Sequence, residues 1–185
     1  EQLTPHLTVE YGAVNSVVVG TGDSAIAVYS APEKSASAVS TVLLTHHRRD
    51  VVSAAKPIFE AGGKAFAPEA ERALIESPAA WWGDFWTKRF HDYSQQSTKI
   101  LTAPIPVSEW VKGGDELKLA GVTFDVLDTP GFTRGAVSYL AEIDGKKVAF
   151  TGDLIYGDGK LFDLYSFQDA IPEANIGGYH GHASR

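Results

Sequence analysis

The sequence predicts one layered domain that mixes strands with helices, and three observations predict it. Short runs rich in Val, Ile, Leu and Thr crowd the first 44 residues and return after Leu117. The stretch between them carries helical spacing. Asp144-Gly145, set between two apolar runs, is a strong signal for a tight hairpin. Strands and helices distributed in this way belong to an α/β or α+β layered fold. At 185 residues the chain fits a single domain, residues 1–185, long enough to bury a sizeable core.

In chain order, strands are expected at Leu7–Glu10, Ser16–Val19, Ala25–Tyr29 and Thr41–Leu44, with Gly, Asp, Ser and Pro between them. Asp50–Ala61 reads as helical, with Pro57 acceptable only in a first turn or as a break. Lys64–Ala67 is a further short strand. Pro68 then opens a helix, P-E-A-E-R-A-L-I-E, whose early carboxylates suit the positive end of the helix dipole. Ser77–Tyr93 places Trp82, Phe85, Trp86, Phe90 and Tyr93 at helical spacing, an aromatic stripe expected to face the core. Strands resume at Leu117–Leu119, Val122–Leu127, Val137–Ile143 and Lys147–Phe150. The final stretch from Tyr165 carries little periodicity.

Composition excludes several functions. A net charge of −7 argues against a nucleic-acid or anionic-membrane surface. No apolar run approaches the length of a membrane-spanning helix. Without cysteine, disulfides and thiolate metal sites are excluded, although this places the protein in no compartment. The chain has no methionine and opens at Glu1-Gln2 without a basic or apolar leader. Such a start reads as processed or set by a boundary; a removed secretion signal, and so a secreted or periplasmic protein, would explain it, with the cytoplasm the alternative.

Three stretches sit at the C-terminal ends of predicted strands, where sites tend to be built. They are T-H-H-R-R-D (45–50), D-T-P-G-F-T-R-G (128–135) and F-T-G-D (150–153). In this order, with V-N-S-V-V-V near the start, they resemble the metallo-β-lactamase-fold superfamily over nearly the whole chain. The resemblance implies an αββα sandwich, here lacking part of its C-terminal half. It also implies a metal-dependent hydrolase whose signature T-H-x-H-x-D-H holds one or two zinc ions.

Carried over residue by residue, Thr45, His46 and Asp50 match the signature, and Asp153 matches the aspartate that bridges two metals. Arg48 stands at the second histidine position, Val51 at the last, and Phe132 at the histidine of T-P-G-H-T. A catalytic zinc needs three protein ligands and an open position. Phe132 offers no lone pair, and arginine is never a ligand. The expectation is therefore a degenerate pocket of His46, Arg48, Asp50, Phe132 and Asp153 that takes no cofactor. In it Arg48 would place its guanidinium where metal charge sits in the family and pair with the carboxylates. The alternative is an atypical zinc hydrolase built on His46, Asp50, Asp153 and His182, acting on an ester, thioester, lactam or phosphate bond, with Asp50 the candidate catalytic group.

His47 is expected on the opposite side of the chain from His46, in packing or a surface hydrogen bond. His180-Gly181-His182 reads as a glycine-rich loop. The expected partner is a small molecule or anion at the pocket, beside Arg48, Arg49 and Arg134. A protein partner or second copy is the expected cover for an incomplete second half.

Overall fold

The computed structural model describes residues 1–21, 24–34, 39–82, 101–156 and 159–161. Seven strands form the larger sheet in chain order: β1 (Gln2–Thr4), β2 (Leu7–Glu10), β3 (Ser16–Val19), β4 (Ile26–Val28), β5 (Thr41–Leu43), β6 (Lys64–Pro68) and β7 (Glu109–Val111). β1 to β4 pair antiparallel through short turns, while β4 to β7 pair parallel. Parallel neighbours need crossovers. Between β5 and β6 the crossover is α1 (Arg49–Ala54) with α2 (Lys56–Glu60), and after β6 come α3 (Arg72–Glu76) and α4 (Pro78–Trp82).

The second sheet is antiparallel, in the order β11-β10-β9-β8, from β8 (Glu116–Leu119), β9 (Val122–Asp128), β10 (Val137–Ile143) and β11 (Lys146–Phe150). β12 (Ile155–Tyr156) and β13 (Lys160–Leu161) form a short separate ribbon.

Strand periodicity explains the layering. Successive side chains leave opposite faces of a strand, so Val19, Ile26, Val28, Leu43 and Phe66 point toward the second sheet and meet Phe124, Val126, Tyr139, Ile143 and Phe150. The intervening Val18, Ala27, Val42, Leu44, Ala65 and Ala67 point the other way, onto Val52, Ile58 and Ile75 of the helices. One core lies between the sheets and another beneath the helices, a helix–sheet–sheet order among the described residues. None of the described helices is long and apolar enough to cross a membrane.

Most expected strands form within a residue or two of their predicted ends. The helical stretch 50–61 divides at Ala55, so that Pro57 falls in the first turn of α2, where its missing N–H is harmless. One expectation is corrected. Pro68 does not open a helix: its backbone is extended (φ −61°, ψ 126°) and closes β6, and a 3-10 turn over Glu69–Glu71 precedes α3. β1, β7, β12 and β13 are additional strands. Of the aromatic helix expected at 77–93, Pro78–Trp82 is helical and the remainder lies outside the described residues.

Candidate functional site

The T-H-H-R-R-D loop leaves β5 on the top edge of the larger sheet and enters α1 at Arg49. Both sheets anchor it. Leu44 N–H donates to Phe66 O at 2.9 Å, Val137 N–H donates to Thr45 O at 2.9 Å, and the Tyr139 hydroxyl donates to Leu44 O at 2.7 Å. F-T-G-D arrives from the end of β11. There Gly152 takes φ +57°, and a Cβ on it would lie 2.5 Å from Thr45 Oγ1, so glycine allows the two loops to touch.

That contact brings His46 and Asp153 together. His46 is buried, and its Nε2 lies 2.7 Å from Asp153 Oδ2. Arg48 N–H donates to His46 Nδ1 at 3.2 Å. A ring nitrogen that accepts a hydrogen bond carries no proton. The neutral imidazole therefore bears its proton on Nε2 and donates it to Asp153, whose side chain is 39% exposed.

Phe132 packs on the imidazole with ring centroids 5.1 Å apart, and the Arg48 guanidinium carbon lies 5.2 Å from the Phe132 centroid. At 6% exposure, Arg48 does not point to solvent. His46, Phe132 and Arg48 thus form a continuous stack, joined by a cation–π contact.

Asp50 lies in the first turn of α1 and lines a cavity of about 480 Å³ together with Asp153, Asn15, Tyr29 and Val51. Asp50 and Asp153 therefore face one space. Of the residues expected at the site, His46, Arg48, Asp50, Phe132 and Asp153 come together in this region, whereas His180 and His182 lie outside the described residues. Among the described residues, no three His, Cys, Asp or Glu side chains form a metal-holding group.

Of the two roles expected for His47, the surface hydrogen bond is corrected and the packed position holds: the side chain is buried, and its Nδ1 lies 2.8 Å from Glu71 Oε2. Glu71 is itself buried. Its Oε2 also accepts the His47 backbone N–H, while Oε1 accepts the Thr133 hydroxyl and the Gly135 N–H, the last at 3.2 Å. Burial pushes the Glu71 carboxyl upward, but the adjacent His47, its hydrogen bond, the Thr133 hydroxyl and the nearby His46 outweigh burial and hold it at about 2.

Sequence reasoning passed over Glu71 and Tyr29. Glu71 reads as one of several early-helix carboxylates, and only the tertiary fold reveals its donors. Tyr29 sits at φ +76°, a left-handed conformation rare for an aromatic residue, at the end of β4 where a strand continuation was expected. Its hydroxyl oxygen accepts Gly152 N–H at 3.3 Å. Burial pushes its phenol up to about 12; the Gly152 hydrogen bond opposes this, and the charge on Asp153 adds to it.

The metallo-beta-lactamase superfamily model matches residues 12–181. A hydroxyacylglutathione hydrolase of Brucella ovis is 30% identical over 142 residues, 75% of this chain and 43% of that protein. The chain thus spans less than half the length of this curated relative. Among solved structures, a metallo-beta-lactamase family protein from Thermus thermophilus superposes with a TM-score of 0.66 at 20% identity, covering 91% of this chain and 65% of that one. A metallo-beta-lactamase from Cronobacter sakazakii, described by its H-A-R-L-D-Q motif, superposes with a TM-score of 0.60 at 18% identity, covering 94% and 69%.

Proposed function

Because the chain belongs to the metallo-β-lactamase superfamily, we propose that it is a member whose metal site has been replaced by a small-molecule pocket, and that it binds rather than hydrolyses. The single observation that carries this reading is the Phe132–Arg48 stack on His46, which fills two of the family's ligand positions with an apolar ring and a fixed cation.

The donor set does not fit a zinc pair. His46, Asp50 and Asp153 are the ligands kept from the family pattern, Phe132 and Val51 donate nothing, and Arg48 adds a fixed positive charge beside them. Repulsion and lost ligands act in the same direction.

The ligand belongs in the cavity between Asp50 and Asp153. Among the described residues the lining supplies two carboxylates, the Asn15 amide and the Tyr29 phenol. The favoured ligand is therefore a small molecule that hydrogen-bonds to these groups.

A second reading, a metal-dependent hydrolase, is favoured by a specific observation. The H-A-R-L-D-Q motif of the Cronobacter sakazakii metallo-beta-lactamase has arginine and aspartate at the same spacing from histidine as Arg48 and Asp50 from His46. Arginine at that position is thus found in a protein bearing the enzyme's name. A zinc held there by His46, Asp50 and Asp153 together with a donor outside the described residues would polarise a carbonyl and activate water. The relatives named hydroxyacylglutathione hydrolase make a thioester the natural trial substrate for this reading.

Metal analysis of protein purified without chelator, paired with zinc titration calorimetry and a hydroxyacylglutathione assay with added zinc, separates the two. We expect substoichiometric metal, no saturable zinc heat and no turnover. Stoichiometric zinc with metal-dependent thioester cleavage would establish the second reading in place of the first.

A further inference from the structure

We infer that Glu71 is the positioning residue of the pocket, holding the histidine loop and the phenylalanine loop in register from behind. Its carboxylate joins segments far apart in sequence. One oxygen takes the backbone and ring N–H groups of His47, next to His46 and Arg48, and the other takes the Thr133 hydroxyl and the Gly135 N–H, beside Phe132.

Both partners are placed for this. His47 and Thr133 are buried. Gly135 allows the approach, since a Cβ there would overlap Glu71 Cγ and crowd Ala70. A buried carboxylate with four charge-assisted donors is geometrically committed, because losing any one leaves a desolvated charge short of a partner.

Consider what otherwise fixes the second loop. Metal ligands tie distant segments together by binding one ion. Phe132 cannot be tied in that way, yet its ring rests on His46 and carries Arg48. The bonds of Glu71 to the residues on either side of Arg134 and to His47 add a side-chain cross-link to the backbone bond from Val137 N–H to Thr45 O. The inference goes beyond the proposed loss of metal and holds whether or not the pocket takes zinc, because the Glu71 carboxylate bonds to His47, Thr133 and Gly135, none of them a ligand position of the family.

The test uses the full chain, labelled with 15N and 13C, in Glu71→Gln, Thr133→Val and Thr133→Ser forms. Far-UV circular dichroism and cooperative melting first establish that each variant is folded. Aromatic and imidazole spectra then report the His46–Phe132 stack and the Nε2–H tautomer of His46, which a purely stabilising role would leave unmoved. Glu71→Gln and Thr133→Val should displace the Phe132 ring and His46 signals beyond the linewidth, and Thr133→Ser, which keeps the hydroxyl, should restore the wild-type pattern. If Glu71→Gln does not fold, Thr133→Val alone decides, since it severs the side-chain bond to the phenylalanine loop and leaves the His47 bonds intact. A folded Thr133→Val whose His46 and Phe132 signals match wild type would overturn the assignment. So would a folded Glu71→Gln that moves only His47.

Discussion

Arg48 carries the sharpest chemical departure at the site, and its surroundings decide how to read it. A solvent-facing arginine would leave room for a metal, but Arg48 is buried and lies over Phe132, which in turn covers His46. Arginine suits this position because its flat, weakly hydrated cation stacks on an aromatic ring at little desolvation cost. Returning both positions to histidine removes the cation and adds two imidazoles near His46. The double variant Arg48→His/Phe132→His should acquire saturable zinc binding by calorimetry, against the absence of binding expected for the wild type. Three histidines in reach approximate a complete zinc ligand set. Absence of zinc binding in a folded double variant would mean that the loops do not present these positions as the family pattern implies. His46, Arg48, Asp50, Phe132 and Asp153 could be picked out in the sequence because each falls inside a stretch that resembles a signature motif of the superfamily. Glu71 and Tyr29 could not, since one depends on donors from two distant loops and the other on an unusual backbone angle.

At the scale of elements, the hairpins show which local signals survive into the structure. Asp144 and Gly145 both take positive φ, 51° and 74°, as a two-residue turn between β10 and β11 requires. Ala120-Gly121 makes the same kind of turn between β8 and β9 at φ 53° and 73°, unannounced because alanine is not a turn residue. Strands were legible as apolar, β-branched runs where both faces are buried, as in Ser16–Val19 and Val137–Ile143. The short parallel strand Glu109–Val111 was not, because its pairing with β6 is set by a partner about 40 residues earlier rather than by its own pattern. The turn offers a clean measurement. No atom lies within 4 Å of a Cβ built on Gly145, so Gly145→Ala adds no clash and isolates the backbone penalty. It should cost about 1–2 kcal/mol, read as a lower urea midpoint with unchanged slope. An unchanged midpoint would mean that the hairpin relaxes to another turn at no cost.

For the whole molecule, acid stability depends on how the two sheets are joined around the site. They share an apolar core, and at the opposite rim His6 of the first β-turn clasps Asp144 of the β10–β11 hairpin, with Nδ1 to Oδ1 at 2.7 Å and backbone N–H to Oδ2 at 2.9 Å. Glu71 is the buried counterpart, linking the loop after β5 to the loop before β10. Its carboxyl titrates near 4.5 when unfolded and about 2 when folded, under the influence of His47, Thr133 and His46. A depressed folded value means that the native state holds the proton less tightly than the unfolded chain. Stability from this group is therefore fully present above pH 4.5, declines as the pH falls through the interval, and is gone below about 2. Other carboxylates titrate over the same range, so the comparison must be with a chain lacking only this charge. Urea unfolding of wild type and Glu71→Gln across this range should give curves that converge as the pH drops, wild type being the more stable at neutrality and losing the more in acid. Parallel curves would show that the Glu71 charge is not selectively stabilised by folding.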